Sequence, residues 1–455
     1  MTLAALLLVI VPIITKNIAA TLPGPFFLFC CDPFPPNDRV VQREAESSPF
    51  MVFVMSSSIL RYAVVLGLLS AIGPFAIDMY LPALPAISQD LAASTNAVQM
   101  SLMAFFVSVG LGQLIYGPLA DMWGRKPPLY FGLALFALAS VGCALATDIE
   151  TLIVFRFIQG LGGCAGMVIP RAVVRDLYTG NEAARLMSLL MLVFSVVPIL
   201  APLAGTGVTA VASWRAIFWI VTVIALLGMV LLALALKETR PAERRIGSSL
   251  GSAMAGYGLL LRDPYFLGLV FIGAFGISSF FAYLANSSFV LIEHYGLTPT
   301  QYSLAFSVNA ISFFGFSQLN GKLGALYGLA RVMRFAVTGF AAAVLILLLL
   351  FLSGVDSLPV MIVMLFIGNG FLGLVIPTSA VLALDEHGEI AGTASALMGT
   401  IQMVTGAAVM GVIALFLDGT ALPMITGIAT CGFMTFTLTQ LTLSRRRRTV
   451  AAPAE

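Results

Sequence analysis

Twelve apolar helices crossing a membrane, set out as two halves of six, are what this sequence predicts: an all-α integral membrane protein. Three observations lead there. Hydrophobic residues make up 60% of the chain and charged residues only 10%, against about 25% charge in a soluble domain, so lipid must solvate its outer surface. Lipid forces each backbone group to be paired internally, and the apolar runs are continuous, without the alternation of a membrane barrel strand. Twelve of these runs come near the 20 or so residues that cross a bilayer. Finally, the second half repeats the first. Gly163-x-x-Gly166-x-Val168-Ile169-Pro170 returns as Gly370-x-x-Gly373-x-Val375-Ile376-Pro377, an offset of 207, and Gly117-x-Leu119-x-x-x-Trp123-Gly124 returns more weakly as Gly321-x-Leu323-x-x-x-Tyr327-Gly328, an offset of 204. Two similar offsets in matching places argue for a duplicated six-helix unit, as in parallel-repeat carriers.

In order along the chain, the spans are expected near 61–84, 97–118, 128–146, 151–172, 185–209 and 215–236 in an N-terminal half (59–236), and near 265–290, 300–320, 332–353, 358–383, 391–417 and 421–442 in a C-terminal half (264–443). The polar stretch 237–263 reads as a cytoplasmic linker, and 444–455 as a basic cytoplasmic tail. Residues 1–58 fit neither half. Their apolar run, Leu3–Ile14, is too short to span and lacks the basic start of a secretory signal, so 1–50 reads as an over-called start or a disordered tail. Cys143, Cys164 and Cys431 fall in apolar spans without ligand spacing and read as small core residues.

Charge sets the expected orientation. With the start of span one inside, eighteen lysines and arginines face the inner side, from Arg61 through Arg445–Arg448, and Arg215 alone faces out. That bias places both ends of the helical core in the cytoplasm. The net charge of +2 is too small to suggest nucleic acid. There is no nucleophile–base set, phosphate loop or metal-ligand cluster to suggest an enzyme or a metal site, and His294 and His387 are placed in loops on opposite sides.

Asp78 is the one acid inside a span, 17 residues past Arg61, or roughly 25 Å along a helix. Arg156 in span four is the one base comparably embedded, at a similar depth in the outer half. Intramembrane charges are costly and mark partners or pathways. Three readings are open: a permanent ion pair, a site for a charged substrate, or a proton carrier at Asp78 whose affinity shifts as Arg156 moves. Desolvation raises a carboxyl pKa and a nearby cation lowers it, so the third is favoured, with Arg156 as tuner. Tyr80, Gln113, Gln159, Asn286 and Asn309 are candidates for the wall of a substrate cavity; interhelical hydrogen bonding is the commoner role of such residues.

Gly117-Pro-Leu-Ala-Asp-Met-Trp-Gly-Arg-Lys-Pro127 puts an acid and two bases in a short loop between two apolar runs. It resembles the loop between helices 2 and 3 of major facilitator superfamily transporters. Ala76-Ile-Asp78-Met-Tyr80-Leu-Pro82-Ala-Leu-Pro85 resembles span one of that superfamily's Bcr/CflA family of drug-resistance transporters. The similarity continues through Gly112-Gln113, Arg156-Phe-Ile-Gln159-Gly160, Arg171-Ala-Val-Val-Arg175-Asp176 and Ala391-Gly-Thr-Ala-Ser-Ala-Leu-Met398. The resemblance implies the major facilitator fold and a monomeric carrier in the bacterial inner membrane. It implies export of drug-like small molecules in exchange for protons by alternating access, driven by the proton gradient without a cofactor. It implies proton coupling at Asp78 and Arg156, and a gating loop of Gly117, Asp121, Gly124 and Arg125. Asp121 is also placed to pair with Arg125 or with Arg175, beside Asp176. Two departures stand out. Met122 replaces the usual base after the loop aspartate, and span five reads Ala201-Pro202-Leu-Ala-Gly205-Thr206 where the family has Gly-Pro-x-x-Gly-Gly. Pro202 and Gly205 remain, and Pro198 adds a second kink candidate. The competing functions are a proton-coupled uptake carrier for a small metabolite and a membrane receptor without transport.

Overall fold

The computed structural model describes residues 57–245 and 249–451, so the reading of residues 1–50 lies outside the described residues. Twelve long helices follow one another: α1 Ser57–Asp78, α2 Thr95–Trp123, α3 Lys126–Leu145, α4 Ile149–Leu177, α5 Gly180–Thr209, α6 Arg215–Ala235, α7 Pro264–Ser288, α8 Pro299–Ser317, α9 Leu329–Leu352, α10 Leu358–Asp385, α11 Ala391–Ala414 and α12 Leu422–Ala451. Eleven spans, all but α8, are long and apolar enough to cross a membrane. At 19 residues α8 is short, and it buries Ser303, Ser307, Asn309 and Ser312, so its polar face is turned to protein rather than lipid.

Local chemistry sets the boundaries. Ser94 and Asp148 accept the Ala97 and Thr151 N–H groups at the starts of α2 and α4. Thr298 and Gln301 form a reciprocal capping box at α8. Gly124 ends α2 at φ +93°, and Gly328 precedes α9 at φ +80°. These two glycines hold equivalent places in the two halves, and both adopt the left-handed backbone that a side chain disfavours.

Packing repeats with the sequence. α1 packs on α4, α5 and α6, α2 on α4, and α3 on α4 and α6; α7, α8 and α9 make the same contacts six helices later. The halves meet where α2 packs on α11 and α5 on α8, two seams that exchange under the same shift. Within the first half α4 is the hub. A Cβ on Gly160 would lie 2.5 Å from the Phe105 carbonyl oxygen, and one on Gly166 would lie 2.6 Å from that of Leu69, so small residues let the α2 and α1 backbones close on α4.

Three segments differ from expectation. The stretch read as a linker contains a 3-10 turn, Ala242–Arg245, and a helix, Leu250–Leu260, whose Tyr257 donates to the Leu114 carbonyl of α2. Beyond α7 the chain takes a π-helical turn, Phe289–His294, and α12 runs on through Arg445–Arg448. Neither feature leaves a mark in hydropathy.

Candidate functional site

The bundle has a loop end, carrying the α2–α3 connection, and a far end. Asp78 is the last residue of α1, near the far end, and is 5% exposed. No hydrogen bond or ion pair reaches its carboxylate among the described residues. α5 closes against the turn that follows it. A Cβ on Gly205 would sit 2.2 Å from the Met79 carbonyl oxygen, which is why a residue without one is needed there. Pro198 and Pro202 are buried within an unbroken α5.

Arg156 does not pair with Asp78 in this state. Its guanidinium carbon lies 4.6, 4.5 and 5.9 Å from the ring centroids of Tyr80, Phe105 and Phe218. One nitrogen, Nη1, donates to Gln159 Oε1 at 2.6 Å, and Gln159 in turn donates to Ser140. Nε and Nη2 are buried without an acceptor among the described residues. The cation is thus held chiefly by aromatic faces. Tyr80 donates to or accepts from Ser101 at 2.8 Å.

The other cavity candidates are dispersed. Asn286 accepts from Gln99 of α2 at 2.9 Å, joining the two halves at the far end. Asn309 sits inside the second half, reaching Tyr283 and accepting from Asn369. Gln113 reaches α11, where a Cβ on Gly399 would overlap its Oε1 at 1.8 Å. Tyr80, Gln159, Asn286 and Asn309 are therefore engaged in hydrogen bonds and buried, while Gln113 is half-buried at the seam.

At the loop end, Arg125 donates to Asp121 at 2.8 Å and through two nitrogens to Asp176 at 2.7 and 3.2 Å. Arg240, past α6, also pairs with Asp121 at 3.1 Å. Arg175 points to solvent and stays outside this network. Sequence reading missed Glu238. Its carboxylate accepts the backbone N–H of Arg125 at 2.8 Å and of Lys126 at 3.0 Å, capping the start of α3. Burial by itself would raise its pKa, but those N–H groups, with that of Arg240, outweigh it and hold the carboxyl below the usual range. Burial likewise works against the Arg125 charge, and Asp176 and Asp121 more than offset it. The signal available was an acid in Lys237-Glu238-Thr239-Arg240, just past α6, facing a basic loop. The network joins the first half to the linker through Glu238 and Arg240. At the equivalent loop, Ala325 and Leu329 stand where Asp121 and Arg125 do, by the offset of 204.

Thr206, where the span-five pattern departs, was also missed. Its hydroxyl meets Ser303 of α8 at 2.8 Å and donates to the Pro299 carbonyl at 3.3 Å. Ser307 donates to the Ile199 carbonyl at 2.8 Å on the same seam. With Gln99 on Asn286, these bonds close the far end.

A bundle of two matched helical halves, tied together at one end and carrying an unpaired acid and base at depth, defines a multi-pass membrane transporter of small molecules. The family model of the Major Facilitator Superfamily matches residues 66–410, and the chain belongs to that superfamily. It is 38% identical over 368 residues to the uncharacterized MFS-type transporter YdgK of Bacillus subtilis, covering 80% of this chain and 91% of that one. It is 31% identical over 372 residues to a bicyclomycin resistance protein homolog of Haemophilus influenzae, covering 81% and 93%. Relatives named for drug resistance thus match the resemblance read from span one. The fold is shared with the xylose transporter XylE of E. coli, at a TM-score of 0.66 and 14% identity over 86% of this chain and 98% of that one. The protein is a transporter and not an enzyme.

Proposed function

We propose that this protein exports drug-like small molecules across the bacterial inner membrane in exchange for protons, by alternating access, as a monomer. The charge bias of the loops supports a cytoplasmic loop end and an outward far end. One observation carries the coupling: Asp78 is buried beneath the closed far end with no donor or cation to satisfy a charge. A carboxylate enclosed without partners is costly, whereas the protonated acid is not. Closing the far end over Asp78 is therefore favourable with its proton and unfavourable without it. Arg156 tunes that balance from a neighbouring position, and Asp121, Gly124, Arg125 and Asp176, braced by Glu238, govern the cytoplasmic side. Gly117, expected in the loop, lies instead within α2 with open space where a Cβ would sit, so the turn itself falls to Gly124. The names of the relatives, bicyclomycin resistance and multidrug resistance among them, support efflux as the direction.

Everted membrane vesicles carrying the protein test this. Under an inward-acidic gradient they accumulate a substrate found by resistance profiling of a pump-deficient strain, and Asp78→Asn abolishes the gradient-driven uptake. A gradient of the opposite sign driving accumulation would identify an uptake carrier. Full activity of Asp78→Asn would remove the proposed proton site.

A further inference from the structure

A cavity of about 260 Å³ opens at the far end beside Asn286, the residue that ties α7 to Gln99 of α2. Its walls come from both halves: Thr95 and Asn96 at the start of α2, Phe289 and Glu293 on the π turn past α7, and Thr420 between α11 and α12. Glu293 is the one acid lining it, and no lysine, arginine or histidine lines it. Glu293 is exposed, and its carboxylate has no hydrogen bond or ion pair with protein among the described residues, while the adjacent His294 turns to Asp356 at 2.9 Å. The remaining lining offers amide and hydroxyl groups, one aromatic ring and the aliphatic Val290 and Leu417.

We propose that this cavity binds a small organic cation, its charge on Glu293 and its alkyl groups against Phe289, and that the occupant holds the far end closed. A carboxylate left without a protein partner, in one cavity with an aromatic ring, offers the charge and the π face that alkylated ammonium groups take. The space is many times the roughly 30 Å³ share of one water. A bare divalent ion fits poorly, because one carboxylate is far short of the six to eight oxygens that calcium gathers. The state dependence rests on the alternating-access reading above. A ligand that touches walls belonging to both halves binds only while those walls are together, and so draws the population toward that state.

The probe is tetramethylammonium chloride, titrated against purified protein in detergent with sodium chloride at matched ionic strength as control. The expected result is a saturable rise in melting temperature with tetramethylammonium alone, absent in Glu293→Gln. Gln99→Ala, which breaks the far-end bond and leaves the carboxylate in place, weakens the apparent affinity several-fold because fewer molecules hold the closed cavity. No saturable rise in the wild type, or an equal rise in Glu293→Gln, overturns the site. A rise lost in Glu293→Gln but unchanged in Gln99→Ala overturns the state dependence. These readouts need no transport, so failure of the export reading would leave them interpretable.

Discussion

Arg156 is a cation with three aromatic faces around it and a single neutral acceptor. A planar guanidinium can stack on Tyr80 and Phe105 together and still donate to Gln159, whereas a lysine ammonium is a compact, strongly hydrated point charge. Loss of one such stacking contact is worth about 1–2 kcal/mol when desolvated, or roughly tenfold in rate where it acts on the transport barrier. Arg156→Lys is therefore expected to slow drug efflux about tenfold with the protein still purifying as a monodisperse species; wild-type efflux would show that the stacking does not matter. Glu238 gives a second expectation. Its folded pKa lies below the ordinary glutamate value, so its contribution to stability is present above that value and fades as the pH falls through the folded pKa. Glu238→Gln should lower the melting temperature at neutral pH, by about 1 kcal/mol of lost helix capping, and narrow its gap to wild type in acid. A gap that stays constant with pH would deny the carboxylate its role. Asp78 and Arg156 were legible in the sequence because a charge inside an apolar run is conspicuous. Their separation was not, since helical depth fixes height along a helix but not the azimuth that turns Arg156 onto rings. Glu238 was invisible for the opposite reason: an acid in a polar loop is unremarkable until folding lays it on the start of α3.

Helix α5 shows what one missing methyl allows. Gly205 lets α5 approach the Met79 carbonyl oxygen to within a distance that a Cβ cannot share, 2.2 Å, while two residues on Gly207 faces open space. Gly205→Ala must push α5 off the turn after Asp78, at a cost of about 1–3 kcal/mol for overpacking. Gly207→Ala meets no such obstacle and gains the helix propensity of alanine, about 1 kcal/mol. Thermal melting in detergent should separate the two, with Gly205→Ala lower than wild type and Gly207→Ala equal or higher. Equal melting of both would show that α5 and α1 yield freely. The long apolar helices themselves were readable from length and hydropathy, and α8 was placed by the same means despite its polar face. The helix within the linker and the π turn past α7 were not. Each is fixed by contacts distant in sequence, such as Tyr257 on the Leu114 carbonyl, which a local pattern does not carry.

The whole molecule divides its bonds by kind. Among the described residues Arg125 pairs with Asp121 and Asp176, and Arg240 of the linker with Asp121, at the loop end, and Arg215 pairs with Asp90 at the far end of the first half, while His387 and His294 hydrogen-bond to Asp263, which caps α7, and to Asp356. The bonds between the halves are neutral: Gln99 to Asn286, Thr206 to Ser303, Ser307 to the Ile199 carbonyl, and Thr400 to the Gly110 carbonyl. A neutral hydrogen bond contributes about 1 kcal/mol net, and bonds to charged groups about twice that. The arginine–carboxylate pairs thus stay off the two seams, which are held by bonds that water can replace, a division suited to rigid-body rocking about a central site. Sequence repeats revealed the two halves but not this sorting, because partners such as Arg215 and Asp90 lie far apart along the chain. If the seam of α5 and α8 must open at the far end in each cycle, fixing it should stop the cycle. The pair Thr206→Cys with Ser303→Cys replaces the two hydroxyls that meet at 2.8 Å by sulfurs. Oxidation is expected to abolish efflux and a reductant to restore it, with either single cysteine unaffected by oxidant. Efflux that persists in the oxidised double variant, with the cross-link confirmed by mass spectrometry, would mean that transport does not pass through separation of this seam.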